Sequence, residues 1–180
     1  MEGPMIRLRP VGVVRSPRTD VRDDFWGDVV AEVELSEDLP PDSLDGLEDF
    51  SHAEIIFLFD RVDPSAVVAG ARHPRNNPAW PRVGIFAQRA KGRPNRLGST
   101  VVRILGREGR RLRVQGLDAA DGSPVLDIKP VLAEFLPREP VRQPEWSSEL
   151  MREYWRREEE RGGPQPPGAE PGGPAGQPRA

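Results

Sequence analysis

Seven short β-rich runs, each followed by a turn signal, constrain the fold of this chain more than any other feature. In the run 29–35, apolar residues alternate with Glu32 and Glu34, which is the period-two pattern of a strand with one buried face. The other runs are 6–14, 54–59, 83–87, 99–105, 112–117 and 124–128. Many short strands joined by tight turns are typical of a small antiparallel β-barrel. We therefore predict a mainly β fold of this kind.

Two of the runs and the turns between them carry further expectations. The run 54–59 is continuously apolar after Glu54, which favours a strand buried on both faces. Residues 106–109 predict a hairpin turn, and Asp121-Gly122 predicts a second hairpin between the runs that flank it. Residues 63–81 are rich in Pro, Arg and Asn and predict a long surface loop, a feature that is often functional.

Only one segment has a convincing helical pattern. Trp146, Leu150, Met151, Tyr154 and Trp155 recur at helical spacing and would lie on one face. Residues 161–180 contain 6 Gly and 6 Pro and no Val, Ile, Leu or Phe, too little apolar surface to offset the entropy of ordering the chain. We predict a barrel domain over 1–143, a C-terminal helix over 144–161 and a disordered tail over 162–180. The helix would pack outside its own barrel or on a partner.

Composition excludes several classes of protein. Cysteine is absent, so disulfides, thiolate catalysis and cysteine-ligated zinc are excluded, and the two histidines supply a metal site poorly. No apolar run of about 18 residues is present to span a membrane. The first ten residues lack the apolar core of a signal peptide. We expect a cytoplasmic protein without a metal.

Charge is divided between two regions although the net charge is only −3. From Asp20 to Asp63, the acidic region, the chain has 15 acidic and 2 basic residues. From Pro81 to Arg113, the basic region, it has 10 basic residues and 1 acidic residue. The basic region is a candidate for contact with a polyanion such as RNA. Charge alone equally allows the two regions to pair with each other across the fold.

The basic region contains an arginine-rich loop after the run 83–87. Its cations are Arg89, Lys91, Arg93 and Arg96, and Pro94 restricts both its own φ and the conformation of Arg93. Guanidinium groups match the oxygens of phosphates and carboxylates. We consider Arg93, Arg96 and Lys91 to be candidates for RNA contact, with a solvated basic turn as the alternative.

Two further features allow both a functional and a structural interpretation. Asp127 and Lys129 share one face of a strand, where they could orient a ligand and move a proton, or form an ordinary ion pair. Trp26 lies in the acidic region and could stack on a base or cap the barrel.

Four motifs occur along the chain in a characteristic order. They are Gly-Val-Val-Arg-Ser-Pro at 12–17, Leu-Glu-Asp-Phe-Ser-His at 47–52, the stretch 83–98 with its arginine-rich loop, and Gly-Leu-Asp at 116–118 followed by Asp-Ile-Lys-Pro at 127–130. Over roughly 10–136, the chain with these motifs resembles the TsaA-like family, which includes the TrmO-type tRNA methyltransferases.

The resemblance implies a compact β-barrel that binds S-adenosylmethionine and forms homodimers, with the cofactor pocket near the subunit interface. It implies methylation of N6 of threonylcarbamoyladenosine beside the anticodon of certain tRNAs. The positions of the family's cofactor contacts correspond here to Trp26, Gly27, Asp28, Asp60, Arg61, Arg89, Ser99, Gln115, Gly116, Leu117 and Asp118.

Methyl transfer to an amide-like N6–H needs a proton acceptor and a group that stabilises developing negative charge. Asp118 and Asp127 are the candidates for the acceptor, and Arg93 and Lys129 are the candidates for stabilising the charge. This chemistry requires no metal. The expected partners are tRNA and a second copy of the chain, and no membrane.

The chain also departs from the family pattern. Many members have His where Asp60 stands, Thr at Gln88, Ser at Ala90 and Tyr at Val131. Together with the loop 63–81 and the C-terminal segment, these differences indicate a subfamily. Two other functions therefore remain as alternatives: a non-catalytic barrel that binds RNA or senses S-adenosylmethionine, and a methyltransferase that acts on a small metabolite.

Overall fold

Six strands close into an antiparallel β-barrel in a computed structural model that describes residues 5–20 and 22–160. Around the barrel the order is β1-β2-β7-β6-β3-β8, and β8 pairs again with β1. The mainly β, barrel-like fold predicted from the sequence is confirmed. The strands are β1 (Gly12–Arg15), β2 (Val30–Leu35), β3 (His52–Leu58), β4 (Ala71–Arg72), β5 (Val83–Gly84), β6 (Leu97–Glu108), β7 (Arg111–Gln115) and β8 (Pro124–Pro130).

Alternate residues of each barrel strand fill the interior. In β2 the register buries Ala31, Val33 and Leu35 while Glu32 and Glu34 face outwards, as the alternation predicted. β3 follows the same pattern rather than being buried on both faces, which corrects the prediction for 54–59. The reason is closure of a single sheet, because a barrel strand has one interior face and one outer face. The core residues are Val14, Ala31, Val33, Leu35, Leu44, Ala53, Ile55, Phe57, Val102, Leu112, Val114, Leu117, Ala119 and Val125.

Three connections leave the barrel at one end, which we call the loop end. β1, β3 and β7 run towards this end, and β2, β6 and β8 start from it, because every neighbouring pair is antiparallel. The connections are 16–29, 59–96 and 116–123. The opposite end carries the connection 36–51 and the tight turn between β6 and β7. The topology therefore gathers the sequence motifs around one mouth of the barrel.

The turn at Asp121-Gly122 does not form the predicted hairpin. β7 lies between β2 and β6, whereas β8 lies between β1 and β3, so the two strands that flank the turn are not neighbours. Gly122 does adopt a left-handed φ of 84°, and its N–H donates to the Val14 carbonyl at 2.8 Å. The dipeptide thus makes a turn that docks on β1.

The run 83–87 contributes no strand to the barrel. It divides into β5, which pairs with β4 in a separate two-stranded sheet, and a 3-10 turn at Ile85–Ala87. A 3-10 turn brings positions three apart to the same side, and Ile85 and Gln88 are both buried. The Gln88 amide donates to the carbonyls of Arg72 and Val83 at 3.1 and 3.0 Å. Gln88 therefore stabilises the small sheet through these two hydrogen bonds.

The C-terminal helix α1 covers Glu145–Leu150 and is shorter than predicted. Residues 151–156, which we call the strap, continue as turns, and a 3-10 turn follows at Glu158–Glu160. Beyond the end of the helix, the carbonyls of Glu153 and Tyr154 accept hydrogen bonds from the connection 16–29. The predicted disordered tail, 162–180, lies outside the described residues.

Five further 3-10 turns complete the described part of the chain. None of its helices has the length and apolar character needed to cross a lipid bilayer. The turns are Pro41–Leu44, Leu47–Asp49, Pro64–Ala66, Pro74–Asn76 and Ala133–Phe135.

Candidate functional site

The connection 16–29 is shaped by a buried arginine. Arg18 is only 7% exposed, and it donates to the carbonyls of Phe25 at 2.8 Å and Asp24 at 2.7 Å. Its guanidinium also lies 3.7 Å from the ring centroid of Trp26, which is 3% exposed. Trp26 is therefore an anchor inside the loop end, and its ring is not available to stack on a base. Its neighbour Asp28 is partly exposed.

The strap lies directly on this connection. The N–H groups of Phe25 and Trp26 donate to the carbonyls of Glu153 and Tyr154 at 3.1 and 2.8 Å. At Gly27 a Cβ atom would overlap the carbonyl group of Trp155, so only glycine permits this approach. The C-terminal segment thus forms one wall of the loop end.

The connection after β7 meets the same wall. Gln115 donates through Nε2 to the Gly27 carbonyl at 3.0 Å. Gly116 takes a left-handed φ of 85°, and its N–H donates to the Val29 carbonyl at 2.9 Å. Leu117 is fully buried in the core, which fixes the position from which Asp118 extends. Two groups of predicted cofactor contacts, 26–28 and 115–118, are therefore adjacent.

Asp118 is the centre of the site because two hydroxyl groups converge on its carboxylate. Thr100 Oγ1 donates to Oδ1, and Tyr154 Oη donates to Oδ2. Burial and the negative charge of Asp118 raise the pKa of Tyr154 above its usual range, whereas the positive charge of Arg89 opposes the shift. Tyr154 is thus a hydrogen-bond donor at neutral pH, and Arg89 lies close enough to influence the pair.

Arg89 links this centre to the outer wall of the barrel. Its guanidinium donates to the Ser99 carbonyl, while Ser99 Oγ donates to Glu54 Oε1 at 2.5 Å. Thr100, next to Ser99, faces the interior and is buried. The start of β6 therefore supplies contacts on both faces of the wall.

Asp127 and Lys129 lie on the outer wall and not at the Asp118 centre. Asp127 pairs with Ile56 across the sheet, and Lys129 pairs with Glu54. The two form an ion pair, and the hydrogen bond from Lys129 to Asp127 raises the pKa of the lysine. The two candidate proton acceptors are therefore separated, with Asp118 at the loop end and Asp127 outside.

Asp60 and Arg61 follow β3 at the loop end. The Arg61 guanidinium donates to the Thr19 carbonyl at 2.9 Å and to the Asp121 carbonyl. Asp60 is exposed beside it. Arg61 thus joins the connection 59–96 to the connections 16–29 and 116–123 by hydrogen bonds.

The arginine-rich loop makes mostly local contacts. Arg93 donates to the Gln88 carbonyl at 3.4 Å, and Arg96 donates to the Val62 carbonyl at 3.0 Å from a left-handed φ of 51°. Lys91 forms an ion pair with Asp23 at 3.1 Å. Arg93 and Arg96 therefore donate to carbonyl groups, and neither has a carboxylate partner among the described residues.

Part of the basic region does pair with the acidic region, as the structural alternative predicted. Arg107 pairs with Asp45 and lies 3.9 Å from Glu48, while Arg111 reaches Glu34 at 3.2 Å. These pairs lie along the barrel, away from the arginine-rich loop. The acidic and basic regions therefore pair only in part, because Arg93 and Arg96 have no carboxylate partner among the described residues.

Sequence reasoning missed Arg18, Thr100 and the role of Tyr154. The aromatic stripe assigned Tyr154 to an apolar helix face. The available signal was its hydroxyl, because a buried tyrosine usually finds a polar partner for its O–H. The partner, Asp118, is far away in sequence and could not be identified from a local pattern.

A family model described as the tRNA-methyltransferase O N-terminal domain matches residues 18–135. The chain belongs to the tRNA-methyltransferase O family. This confirms the resemblance seen in the ordered motifs. The match ends before α1, so the strap lies outside the residues that the family model matches.

Two relatives of this chain have names that state a ligand or an activity. It is 36% identical over 143 residues to a probable S-adenosyl-L-methionine-binding protein of Pyrococcus abyssi, covering 77% of this chain and 74% of the relative. It is 39% identical over 105 residues to the human tRNA (adenine(37)-N6)-methyltransferase, covering 58% of this chain and 23% of the relative.

A solved structure has the same fold. The crystal structure of TrmO from Pseudomonas aeruginosa matches with a TM-score of 0.65 and 30% identity. The match covers 81% of this chain and 63% of the TrmO chain. The chain therefore spans less than two thirds of the solved TrmO and about a quarter of the human relative.

Proposed function

We propose that this member of the tRNA-methyltransferase O family is an S-adenosylmethionine-dependent methyltransferase that modifies N6 of an adenosine in tRNA. Family membership over residues 18–135 carries the proposal. More specifically, we propose threonylcarbamoyladenosine beside the anticodon as the substrate, the subunit as part of a cytoplasmic homodimer, and no metal as a cofactor.

The loop end has the chemistry that the cofactor requires. S-adenosylmethionine presents a sulfonium cation, an ammonium and a carboxylate. Asp118 and Asp28 offer negative charge to the cationic groups, and Arg89 offers a guanidinium to the carboxylate. The segments 26–28 and 115–118 are joined by the hydrogen bond from Gln115 to the Gly27 carbonyl. These residues fit the cofactor.

When bound, S-adenosylmethionine supplies an activated methyl group whose S–C bond breaks as the new N–C bond forms. The protein's residues align the adenosine and exclude water from this in-line displacement. Asp118 accepts the N6 proton through oxygen lone pairs that Thr100 and Tyr154 leave free. Arg93 is proposed to stabilise negative charge on the carbamoyl group. Asp118 is favoured over Asp127 because the Lys129 ammonium already neutralises the Asp127 carboxylate on the outer wall.

A comparison of two isosteric substitutions tests the acceptor. Asp118→Asn should lower the rate of methyl transfer by about 10²–10⁴-fold, because the amide cannot accept the proton. Asp127→Asn should keep the rate close to that of the wild type. Mass spectrometry of tRNA nucleosides after incubation with S-adenosylmethionine measures the product. Equal losses in the two variants would contradict the assignment of Asp118.

The proposed RNA contacts have a separate test. Arg93→Ala and Arg96→Ala should weaken tRNA binding and make its salt dependence shallower. The reason is that binding releases fewer counterions when the protein forms fewer phosphate contacts. Arg111→Ala is the control, because Arg111 pairs with Glu34 on the barrel. Filter binding at several salt concentrations gives the slopes. Slopes equal to that of the wild type would show that the loop faces away from the RNA.

A non-catalytic S-adenosylmethionine-binding barrel is the second candidate. It is supported by the Asp118 carboxylate, both of whose oxygens already accept hydrogen bonds from the protein. Calorimetry and the nucleoside assay separate the two candidates. Heat of cofactor binding without any methylated product would favour the non-catalytic protein.

A further inference from the structure

The strap brings a tyrosine hydroxyl into the candidate site from outside the residues that the family model matches. Tyr154 follows the end of the family match by 19 residues, yet its hydroxyl donates to Asp118. It is the only tyrosine of the chain. The partner carboxylate belongs to the connection after β7, within the family match.

We propose that Tyr154 is a positioning residue that fixes the orientation of the Asp118 carboxylate for proton acceptance. This inference rests on the proposed methyltransferase function and adds a residue that the ordered motifs do not contain.

The carboxylate needs this restraint. The terminal torsion of an aspartate is broad, so a carboxylate with one partner can rotate. Thr100 holds one oxygen from β6, and Tyr154 holds the other from the strap. Two donors on opposite oxygens define the plane of the carboxylate, and the lone pairs that remain then point in set directions.

The tyrosine is itself held in place by the strap. The backbone carbonyl of Tyr154 accepts from Trp26 N–H at 2.8 Å, and Trp155 lies against Gly27. The rings of Tyr154 and Trp155 meet edge to face at a centroid distance of 4.9 Å. Main-chain bonds on one side and ring packing on the other leave the hydroxyl little freedom. This is the rigid support that a precise site requires.

A double-mutant cycle tests the inference. Tyr154→Phe removes only the hydroxyl and should lower kcat about tenfold, as expected for the loss of one hydrogen bond to a charged group. The KM for tRNA should change by less than about twofold in this variant, since the Tyr154 hydroxyl contacts the acceptor Asp118 and not the RNA. In an Asp118→Asn background the same substitution should have no further effect on kcat, because the group through which it acts is gone.

The matched control is Ser147→Ala, which removes a hydroxyl from α1 whose partner is the Pro144 carbonyl. It should leave kcat unchanged. Additive effects of Tyr154→Phe and Asp118→Asn would overturn the inference. So would a higher kcat or a tighter Kd in Tyr154→Phe, which would identify the strap as a segment that blocks the site.

A spectroscopic measurement does not depend on activity. Because the chain has one tyrosine, its tyrosinate absorbance reports Tyr154 alone. In Asp118→Asn the tyrosine should ionise at lower pH than in the wild type, since the negative charge beside it is removed. Identical titrations would overturn the contact between the two residues. If the wild type transfers no methyl group, the proposed function fails, and this titration still decides whether Tyr154 and Asp118 interact.

Discussion

Gly27 shows how a single residue governs the docking of the strap. Its Cα lies so close to the carbonyl of Trp155 that a Cβ would overlap main-chain atoms, which cannot move as a flexible side chain can. We expect Gly27→Ala to lower the free energy of unfolding by about 1–3 kcal/mol, the usual cost of forcing extra atoms into a packed contact. Urea unfolding followed by tryptophan fluorescence measures the change.

Gly70→Ala is the control for this substitution. Space is open around the position of a Cβ at Gly70, and its φ is not left-handed. Its free energy of unfolding should match that of the wild type or rise by a few tenths of a kcal/mol, since alanine restricts the unfolded chain. Equal stability of Gly27→Ala and Gly70→Ala would show that the strap is not docked as described.

At the scale of elements, the strap should respond to alkaline pH through Tyr154. Burial and the Asp118 charge raise the pKa of Tyr154 above the ordinary value of 10.0. A group whose pKa is raised by folding stabilises the protein below its unfolded pKa, and this stability declines as pH rises above that value. Docking of the strap should therefore weaken above about pH 10. Absorbance titration should show late ionisation in the native protein and ordinary ionisation in urea.

Truncation separates the strap from the residues beyond it. A chain that ends at residue 160 keeps every described contact of the strap, so we expect wild-type stability and methyl transfer. A chain that ends at residue 144 loses α1 and the strap, and it uncovers the N–H groups of Phe25 and Trp26. We expect it to lose methyl transfer and part of its stability. Light scattering on both chains also tests whether this segment contributes to the proposed homodimer.

If the chain that ends at residue 144 kept full activity, the strap would have no role in the site. A loss of the dimer with an intact fold would instead place the strap at a subunit interface.

At the scale of the whole molecule, the ion pairs of the acidic region should appear as sensitivity to acid. Hydrogen bonds from Arg15 and Arg111 lower the pKa of Glu34 below its ordinary value of 4.5. A carboxylate with a lowered pKa stabilises the fold above its unfolded pKa, and the contribution is lost as pH falls through the folded pKa. The urea concentration at the midpoint of unfolding should therefore decrease as the pH falls below about 4.5. This decrease should be smaller at high salt.

Glu34→Gln should reduce this dependence on pH, because the amide does not titrate. Glu134→Gln is the control, since Glu134 is exposed and makes no side-chain hydrogen bond with the described residues. An unchanged pH profile in Glu34→Gln would assign the acid sensitivity to other carboxylates.

Local patterns in the sequence predicted the barrel strands but not their order. The alternation in β2 identified its buried face correctly, because period two is a property of the strand itself. Asp121-Gly122 predicted a turn, and a turn is present, but the hairpin prediction was wrong. A turn dipeptide specifies local backbone angles, whereas the partners of β7 and β8 depend on closing the whole barrel.

The candidate site likewise depends partly on sequence motifs and partly on tertiary structure. The ordered motifs, as sequence alone, determined the family and placed Asp118 among the residues to test. Only the tertiary structure decided that Asp118 meets Thr100 and Tyr154 at the loop end, while Asp127 lies on the outer wall. Motifs record which residues are present and in what order. Which side chains share a hydrogen bond depends on non-local packing, because strand direction brings three distant connections together and the strap contacts two of them.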